Sequence, residues 1–486
     1  MTGICGWIDG QQEVGQANAT LDTMRRALRD RDATEPRPIV SGGCALAVEA
    51  GVRAVSLHRS ETLLAAVEGQ VRWRSPMLAA MAEERGASAA LAEAYRQHGA
   101  DCLKEMLGPF AIAVVDTHSA SGLLAIDRLG TRTMCYANPS RKLVFASNAE
   151  SVVAHPSVTR ELSQQAIFNY LYCHVVPSPG TIYRSVQKLR PGECVTFKNG
   201  AVERRFYWQL PYHDEGTDSV VALERRLRSL LKDATRHAID GQGTIGAFLS
   251  GGTDSSTIAT MLTELTNAPA RTYSIGFASD EFDEMKYARI TAQRLGARAH
   301  EYYLTPDDVV ESIPIIARAY DEPFGNDSAA PTYFCAKMAR EDGVQVLLAG
   351  DGGDEIFGGN TRYAKQKVFE AYSLIPKALR RGLIEPLAFS LPGNDRIAPL
   401  RKLASYIRQA SVPLPDRLET YNFLHRSPFA DVFEPEFLAA VDVDEPLAML
   451  REVYQRTNSA SPLNRMMHLD LQLTLADNDL RKVSRM

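Results

Sequence analysis

One short string constrains this chain of 486 residues more than any other: Ala247-Phe-Leu-Ser250-Gly251-Gly252-Thr253-Asp254-Ser255-Ser256 carries an apolar strand through a glycine turn into a helix. A strand that turns directly into a helix aims backbone N–H groups and the positive end of the helix dipole at one point, where phosphate binds. Gly251 and Gly252 let the main chain come close to a pyrophosphate, and Ser250, Ser255 and Ser256 add hydroxyl donors. Asp254 can hold the magnesium ion that accompanies such a ligand. The lysine of GxxxxGK[ST] is missing, so this is not the phosphate loop of kinases and GTPases. The competing account is an ordinary Gly-Gly turn capped by Asp or Ser, and the length of the string weighs against it.

The surroundings alternate between strand and helix. A strand over 244–249, a helix over 255–265, a strand over 272–277, a helix over 284–295 and a strand over 344–348 predict a parallel sheet covered on both faces, with its ligand beyond the carboxyl ends of the strands. A second string, Leu347-Leu-Ala349-Gly350-Asp351-Gly352-Gly353-Asp354-Glu355, follows the last of these strands. If the two strands are neighbours, Asp354 comes near Asp254 and the pair can share Mg²⁺ on the pyrophosphate. A calcium-like or purely structural acidic turn is the alternative. Upstream, Phe110–Asp116, Gly122–Asp127 and Leu143–Ala146 read as short strands, with helices near 88–96 and 163–172, an α+β half of sheets packed on each other under helices. The turn-rich stretch 209–219 reads as a linker between domains 1–208 and 220–486. After it, Leu223, Leu227, Leu230, Leu231 and Ala234 fall on one apolar helix face. His98 and His300 stand apart from the reactive strings and are read as structural.

Composition narrows the function classes. A net charge of −5 excludes a basic nucleic-acid binder. The seven cysteines are scattered with no CxxC pair, as in reduced cytosolic proteins. The amino terminus shows no signal-peptide pattern, and no apolar run approaches the ~18 residues of a membrane span. A soluble, cytoplasmic protein without nucleic-acid or membrane partners is therefore expected.

The SGGxDSS string resembles the PP-loop of ATP pyrophosphatases, which split ATP into AMP and pyrophosphate. With Tyr273–Phe277 (YSIGF), Asp321–Thr332 (DEPFGNDSAAPT) and GDGGDEIFGG in order behind it, the carboxyl-terminal half looks like the synthetase domain of the glutamine-hydrolysing asparagine synthetase family. Phe110–Asp116, Asp127-Arg-Leu-Gly-Thr-Arg, the segments from Val176 to Gly192 and Phe206-Tyr-Trp208 resemble the family's glutaminase domain. The resemblance implies an Ntn-type αββα sandwich followed by a Rossmann-like parallel-sheet PP-loop domain of the adenine nucleotide α-hydrolase kind. It also implies ATP and Mg²⁺ as cofactors, and adenylation of a small carboxylate, aspartate or a related acid, before attack by ammonia or an amine. Main chain at Leu249, Ile275, Ala349 and Gly350 would meet adenine and ribose. The loop Ser250–Ser256, Thr253 included, would take the pyrophosphate, with metal at Asp254 and Asp354. Asp351 stands where a family Glu lies near the reacting carboxyl, which implies substrate orientation or proton acceptance. The family's frequent dimerisation makes a homodimer an expectation.

The departures from the family pattern are as informative. Its glutaminases begin Met-Cys-Gly-Ile, with the cysteine as nucleophile; here Thr2 holds that position, and Cys5 comes three residues later, as a core strand residue. The family's Asn-Gly-Glu, whose Asn lines the oxyanion hole, aligns with Glu68-Gly69-Gln70. A carboxylate there repels the developing oxyanion, where loss of one donor already costs about 10²–10³ in rate. The family's glutamine-gripping Arg falls at Cys44 or Ala45 and its Asp at Ala87 or Ser88. The first domain is thus expected to keep the fold and not to hydrolyse glutamine. The end of the chain, Asp479 to Met486, resembles a mid-domain family segment; the family's catalytic lysine lies beyond it, and Lys482 is not its counterpart by position. A fragment, completion by another chain, or weak or absent adenylation are the options this leaves. Synthetases that use the substrate's own amine, as in β-lactam formation or peptide cyclisation, and a non-catalytic ATP-binding regulator remain as alternative readings.

Overall fold

Alternation of side chains along the amino-terminal strands sorts them into two layers. In the strand Gly3–Ile8, Ile4 and Ile8 join one buried cluster while Cys5 and Trp7 join another. The first cluster lies between two six-stranded antiparallel sheets. One is centred on Gly3–Ile8, which pairs with Leu143–Ala146 and Cys44–Glu49; the other is centred on Phe110–Asp116, which pairs with Leu63–Gly69 and Ser121–Ile126. The helix Val14–Leu28 covers the outer face of the first sheet through Leu21, Met24 and Leu28. The helices Pro76–Arg85 and Ala87–His98 cover the second through Leu78, Ala90, Leu91 and Ala94. The result is an αββα sandwich. The structure is a computed structural model that describes every residue except 1, 10–13, 29–36, 42, 52, 214, 215, 217, 279–282, 391–397 and 486. Three positions of the expected linker, 214, 215 and 217, therefore lie outside the described residues.

The second sheet system is parallel and four-stranded, in the order Arg298–Leu304, Arg271–Phe277, Ile245–Phe248, Val346–Leu348. In chain order that is third, second, first, fourth, so the direction of winding reverses between Ile245–Phe248 and Val346–Leu348. Such a reversal opens a crevice at the carboxyl ends of the two strands. Thr253–Thr266 and Met285–Leu295 cover one face through Ala259, Leu262, Ala288 and Ala292, and Ala329–Glu341 covers the other through Cys335 and Ala339. Arg298–Leu304 has no counterpart in the sequence reading, because Arg298, His300 and Glu301 interrupt its apolar run at the sheet edge. His300 stacks on Tyr273 with ring centroids 4.9 Å apart and lies 3.4 Å from the Asp342 carboxylate, a structural role.

By contacts the chain divides into two compact units: Met1–Gln209, Asp218–Asp351 and Gln472–Met486 make the first, and Leu210–Thr217 with Gly352–Leu471 the second. The second has no strand among its described residues and packs around Tyr372, Ala388, Ile407 and Ala410 and around Tyr363, Tyr454 and Met466. In the first unit, the leucine row beyond residue 220 does fall on one helix, Val220–Ile239, capped by Ser219. Its Leu223, Leu227 and Leu230 are nevertheless exposed, because periodicity decides which residues share a face and not what that face meets.

His155 shows how burial couples the sandwich to pH. It packs edge-on against Trp7, and its Nδ1 accepts from the Ser157 hydroxyl at 2.8 Å. Desolvation by burial, with Lys142 adding to it, pushes its pKa down to about 4. The unfolded chain binds that proton near pH 6.5, so stability is complete above 6.5 and is lost as the pH falls towards 4. Denaturation at pH 7 and pH 5 should differ by about 2 kcal/mol more in wild type than in His155→Gln; equal pH dependence in the two would refute this.

Candidate functional site

The loop after Ile245–Phe248 is held by its own hydroxyls. Ser250 N–H donates to Ser255 Oγ at 3.1 Å, the two hydroxyl oxygens lie 3.0 Å apart, and Gly252 N–H donates to Ser250 Oγ at 3.3 Å. Ser255 is buried, whereas Gly252 and Thr253 are exposed and Asp254 is half-buried in the first turn of the helix Thr253–Thr266. Ser256 pairs with Thr291 Oγ1 at 3.1 Å, so this hydroxyl supports the neighbouring helix. Gly251 has φ +89°, and a Cβ there would sit 2.8 Å from Ala288 N and from Tyr287 Cβ, so only glycine fits this bend. Leu249 donates its N–H to the Tyr273 carbonyl at 2.9 Å and accepts from the Ser274 hydroxyl at 2.7 Å, which ties the loop to the strand that carries Ile275.

The second string meets the first across the reversal. Ile245–Phe248 pairs in parallel with Val346–Leu348, with Ala247 opposite Leu348, so Ala349 and Gly350 leave the sheet beside Phe248 and Leu249. A Cβ on Gly350 would lie 2.7 Å from Ser255 N and 3.1 Å from Asp254 Cβ; the absence of a side chain lets the two loops touch. Asp351 then meets Lys482, whose Nζ is 3.1 Å from Asp351 Oδ1 and 3.3 Å from Asp479 Oδ1. Burial works against the Lys482 charge, but the two carboxylates outweigh it and raise its pKa. Asn326 Nδ2 donates to Asn478 Oδ1 at 2.6 Å and to Asp479 Oδ1 at 3.3 Å. Asp354 belongs to the second unit and leads the short helix Gly353–Phe357. Among the described residues no three His, Cys, Asp or Glu side chains gather into a metal cage.

The residues expected at a glutamine pocket, Thr2 and Glu68–Gln70, bond within the fold. Glu68, buried at the end of Leu63–Gly69, pairs with Arg53 Nη1 at 3.3 Å and accepts from Ser147 Oγ at 2.9 Å. Thr2 is buried and accepts from the Arg53 N–H at 3.1 Å. Gly69 N–H donates to Ala54 O and Gln70 N–H to Pro109 O, so both amides are committed within the fold. Cys44 and Ala45 are fully buried strand residues, and Ser88 starts a helix with its N–H on Ser56 Oγ. Cys5 is wholly buried, and desolvation drives its thiol well above the ordinary range, which disfavours the thiolate a nucleophile needs.

The family model described as asparagine synthase matches residues 226–486, and that of a glutamine amidotransferase domain matches residues 79–208. The chain belongs to the asparagine synthase family. It is 32% identical over 291 residues to an inferred glutamine-hydrolysing asparagine synthetase of Methanocaldococcus jannaschii, covering 59% of this chain and 56% of that one. It is 25% identical over 395 residues to asparagine synthetase (glutamine-hydrolysing) 1 of Bacillus subtilis, covering 81% of this chain and 60% of that one. The chain thus spans about three-fifths of the length of these asparagine synthase relatives.

The asparagine synthase strings also do work that the sequence reading left unassigned. Asp321 and Glu322 are docking residues: Asp321 accepts from Ala149 N–H at 2.9 Å and pairs with Arg485 at 3.3 Å, and Glu322 pairs with the buried Lys188 at 2.6 Å. Burial tends to raise the Asp321 pKa, but Arg485 and the Ala149 amide outweigh it and hold the carboxyl below the usual range. Asp477 accepts from Ser178 N–H at 2.8 Å and from its hydroxyl at 2.7 Å. The signal for these roles was a run of acidic residues beside apolar ones, which by itself names no partner. For the loop Ser250–Ser256, Gly251→Ala should lower stability by about 1–3 kcal/mol in chemical denaturation; an unchanged midpoint would contradict the close packing of the bend.

Proposed function

We propose that this chain is the core of an ATP-dependent amide-forming ligase that adenylates a small carboxylate, aspartate or a related acid, with release of pyrophosphate, before ammonia or an amine attacks the acyl-AMP. The observation that carries this reading is the contact of the two glycine strings where the parallel sheet reverses, with Gly350 against Asp254 and Ser255. The N–H groups and hydroxyls of Ser250–Ser256 hold the pyrophosphate end of the nucleotide. Main chain at Leu249, Ile275, Ala349 and Gly350 takes adenine and ribose, and Asp351 orients the reacting carboxyl or accepts the proton released by the attacking amine. In the first unit Asp254 is the residue that would hold magnesium, which, when bound, neutralises the charge of the departing pyrophosphate; Asp354, the second carboxylate expected for it, belongs to the second unit. The reading divides the chain into 1–208, a linker at 209–219, and 220–486.

The first domain, on the same reading, does not hydrolyse glutamine. Its support is the buried Glu68 carboxylate where the family has an oxyanion donor, and the Gly69 and Gln70 amides already bonded to Ala54 and Pro109. Seven cysteines without a disulfide suit a reducing, cytoplasmic setting.

The deciding assay follows pyrophosphate release from Mg-ATP with aspartate, with ammonium or amide-labelled glutamine as nitrogen donor and the product identified by mass spectrometry. Ammonium should give asparagine and glutamine should not, and Asp254→Asn should lower kcat/KM at least about 100-fold. Labelled asparagine from glutamine would overturn the inactive-glutaminase reading and direct mutagenesis to Thr2. No pyrophosphate with aspartate or with a panel of related acids would overturn the ligase reading.

A further inference from the structure

Arg53 links the converted glutamine pocket to the residue that faces Asp351. Its N–H bonds Thr2 Oγ1 at 3.1 Å, one guanidinium nitrogen pairs with Glu68 at 3.3 Å, and another donates to the carbonyl of Ser484. Glu68 is held from its other side by Ser147 Oγ, which in turn accepts from Ile4 N–H at 2.9 Å, so the anchor is built into the central strand of the sandwich. Ser484 lies in the terminal turn of the helix Leu480–Arg485, two residues beyond Lys482. Arg485, on the same helix, is fixed to Asp321 at 3.3 Å.

We propose that Arg53 is a positioning residue: braced by Glu68, it grips the Ser484 carbonyl and so fixes the helix that sets Lys482 against Asp351. The pocket that makes ammonia in glutamine-hydrolysing relatives has here become a brace for the ligase half. The proposal rests on the reading of Asp351 as a group near the reacting carboxyl. Its physical basis is that the Lys482–Asp351 contact is one charged pair at 3.1 Å, lost if the last turns of the helical run that continues from Pro462 through Arg485 shift by about an ångström.

Two measurements on the full chain test it, with Arg53→Met and Glu68→Gln. Hydrogen exchange of the amides in 480–485 should quicken about tenfold in Arg53→Met, and less in Glu68→Gln, with exchange in 271–277 unchanged. In the pyrophosphate assay kcat should fall about tenfold with the KM for ATP within about twofold. Unchanged exchange in 480–485 overturns the brace, and quickened exchange with unchanged kcat overturns its link to Lys482. If Arg53→Met does not fold, Glu68→Gln carries both readouts. Wild type that releases no pyrophosphate refutes the ligase reading instead, and the exchange arm then decides the brace alone.

Discussion

The ladder that joins Ile245–Phe248 to Val346–Leu348 brings together residues about a hundred positions apart, and the candidate site depends on it. Each strand ends in a glycine string, and each string alone is a loop with several uses. Paired in parallel register, with the third and second strands on the far side, the two strings leave the sheet at the one place where the winding reverses. Gly350 and Gly251 then have separate tasks. The first lets the neighbouring loop close onto Asp254, and the second allows the bend that starts the helix against Tyr287 and Ala288.

Burial of the Glu68 carboxylate organises the amino-terminal domain in a comparable way. A buried charge needs a partner, and the fold supplies Arg53 and the Ser147 hydroxyl. Once Arg53 is drawn in, its other donors reach the main chain of Leu480–Arg485. Asp321 with Arg485, Glu322 with Lys188 and Asp477 with Ser178 join further distant segments of the same unit. The acidic string Asp321–Glu322, which could pass for a catalytic motif, is a set of docking groups whose charges are matched one by one.

Much of the fold was legible because its signals are local. Phe110–Asp116 and Leu143–Ala146 are strands over the expected residues, and the helices at Ala87–His98 and Gln164–Cys173 match the expected stretches to within two residues at each end. Glycine in the PP-loop announced a bend that other residues resist. The edge strand Arg298–Leu304 was missed because its polar residues erase the apolar run that marks a buried strand. The exposed Leu223, Leu227 and Leu230 of Val220–Ile239 show the converse, a clear amphipathic pattern that does not translate into burial of the whole apolar row.

Site residues divide along the same line. Ser250, Gly251, Gly252, Asp254 and Ser255 could be named from sequence because strand, turn and helix dictate their geometry within a few residues. Lys482, Asp479, Asn326 and Arg53 could not, since each acquires its role from a partner more than a hundred residues away or from a helix that passes it. The sequence by itself determined the elements and the loop chemistry, because backbone preference and side-chain period act over short range. Only the tertiary structure decided which charges meet, because a charge pairs with whatever the packing of distant elements brings within a few ångströms.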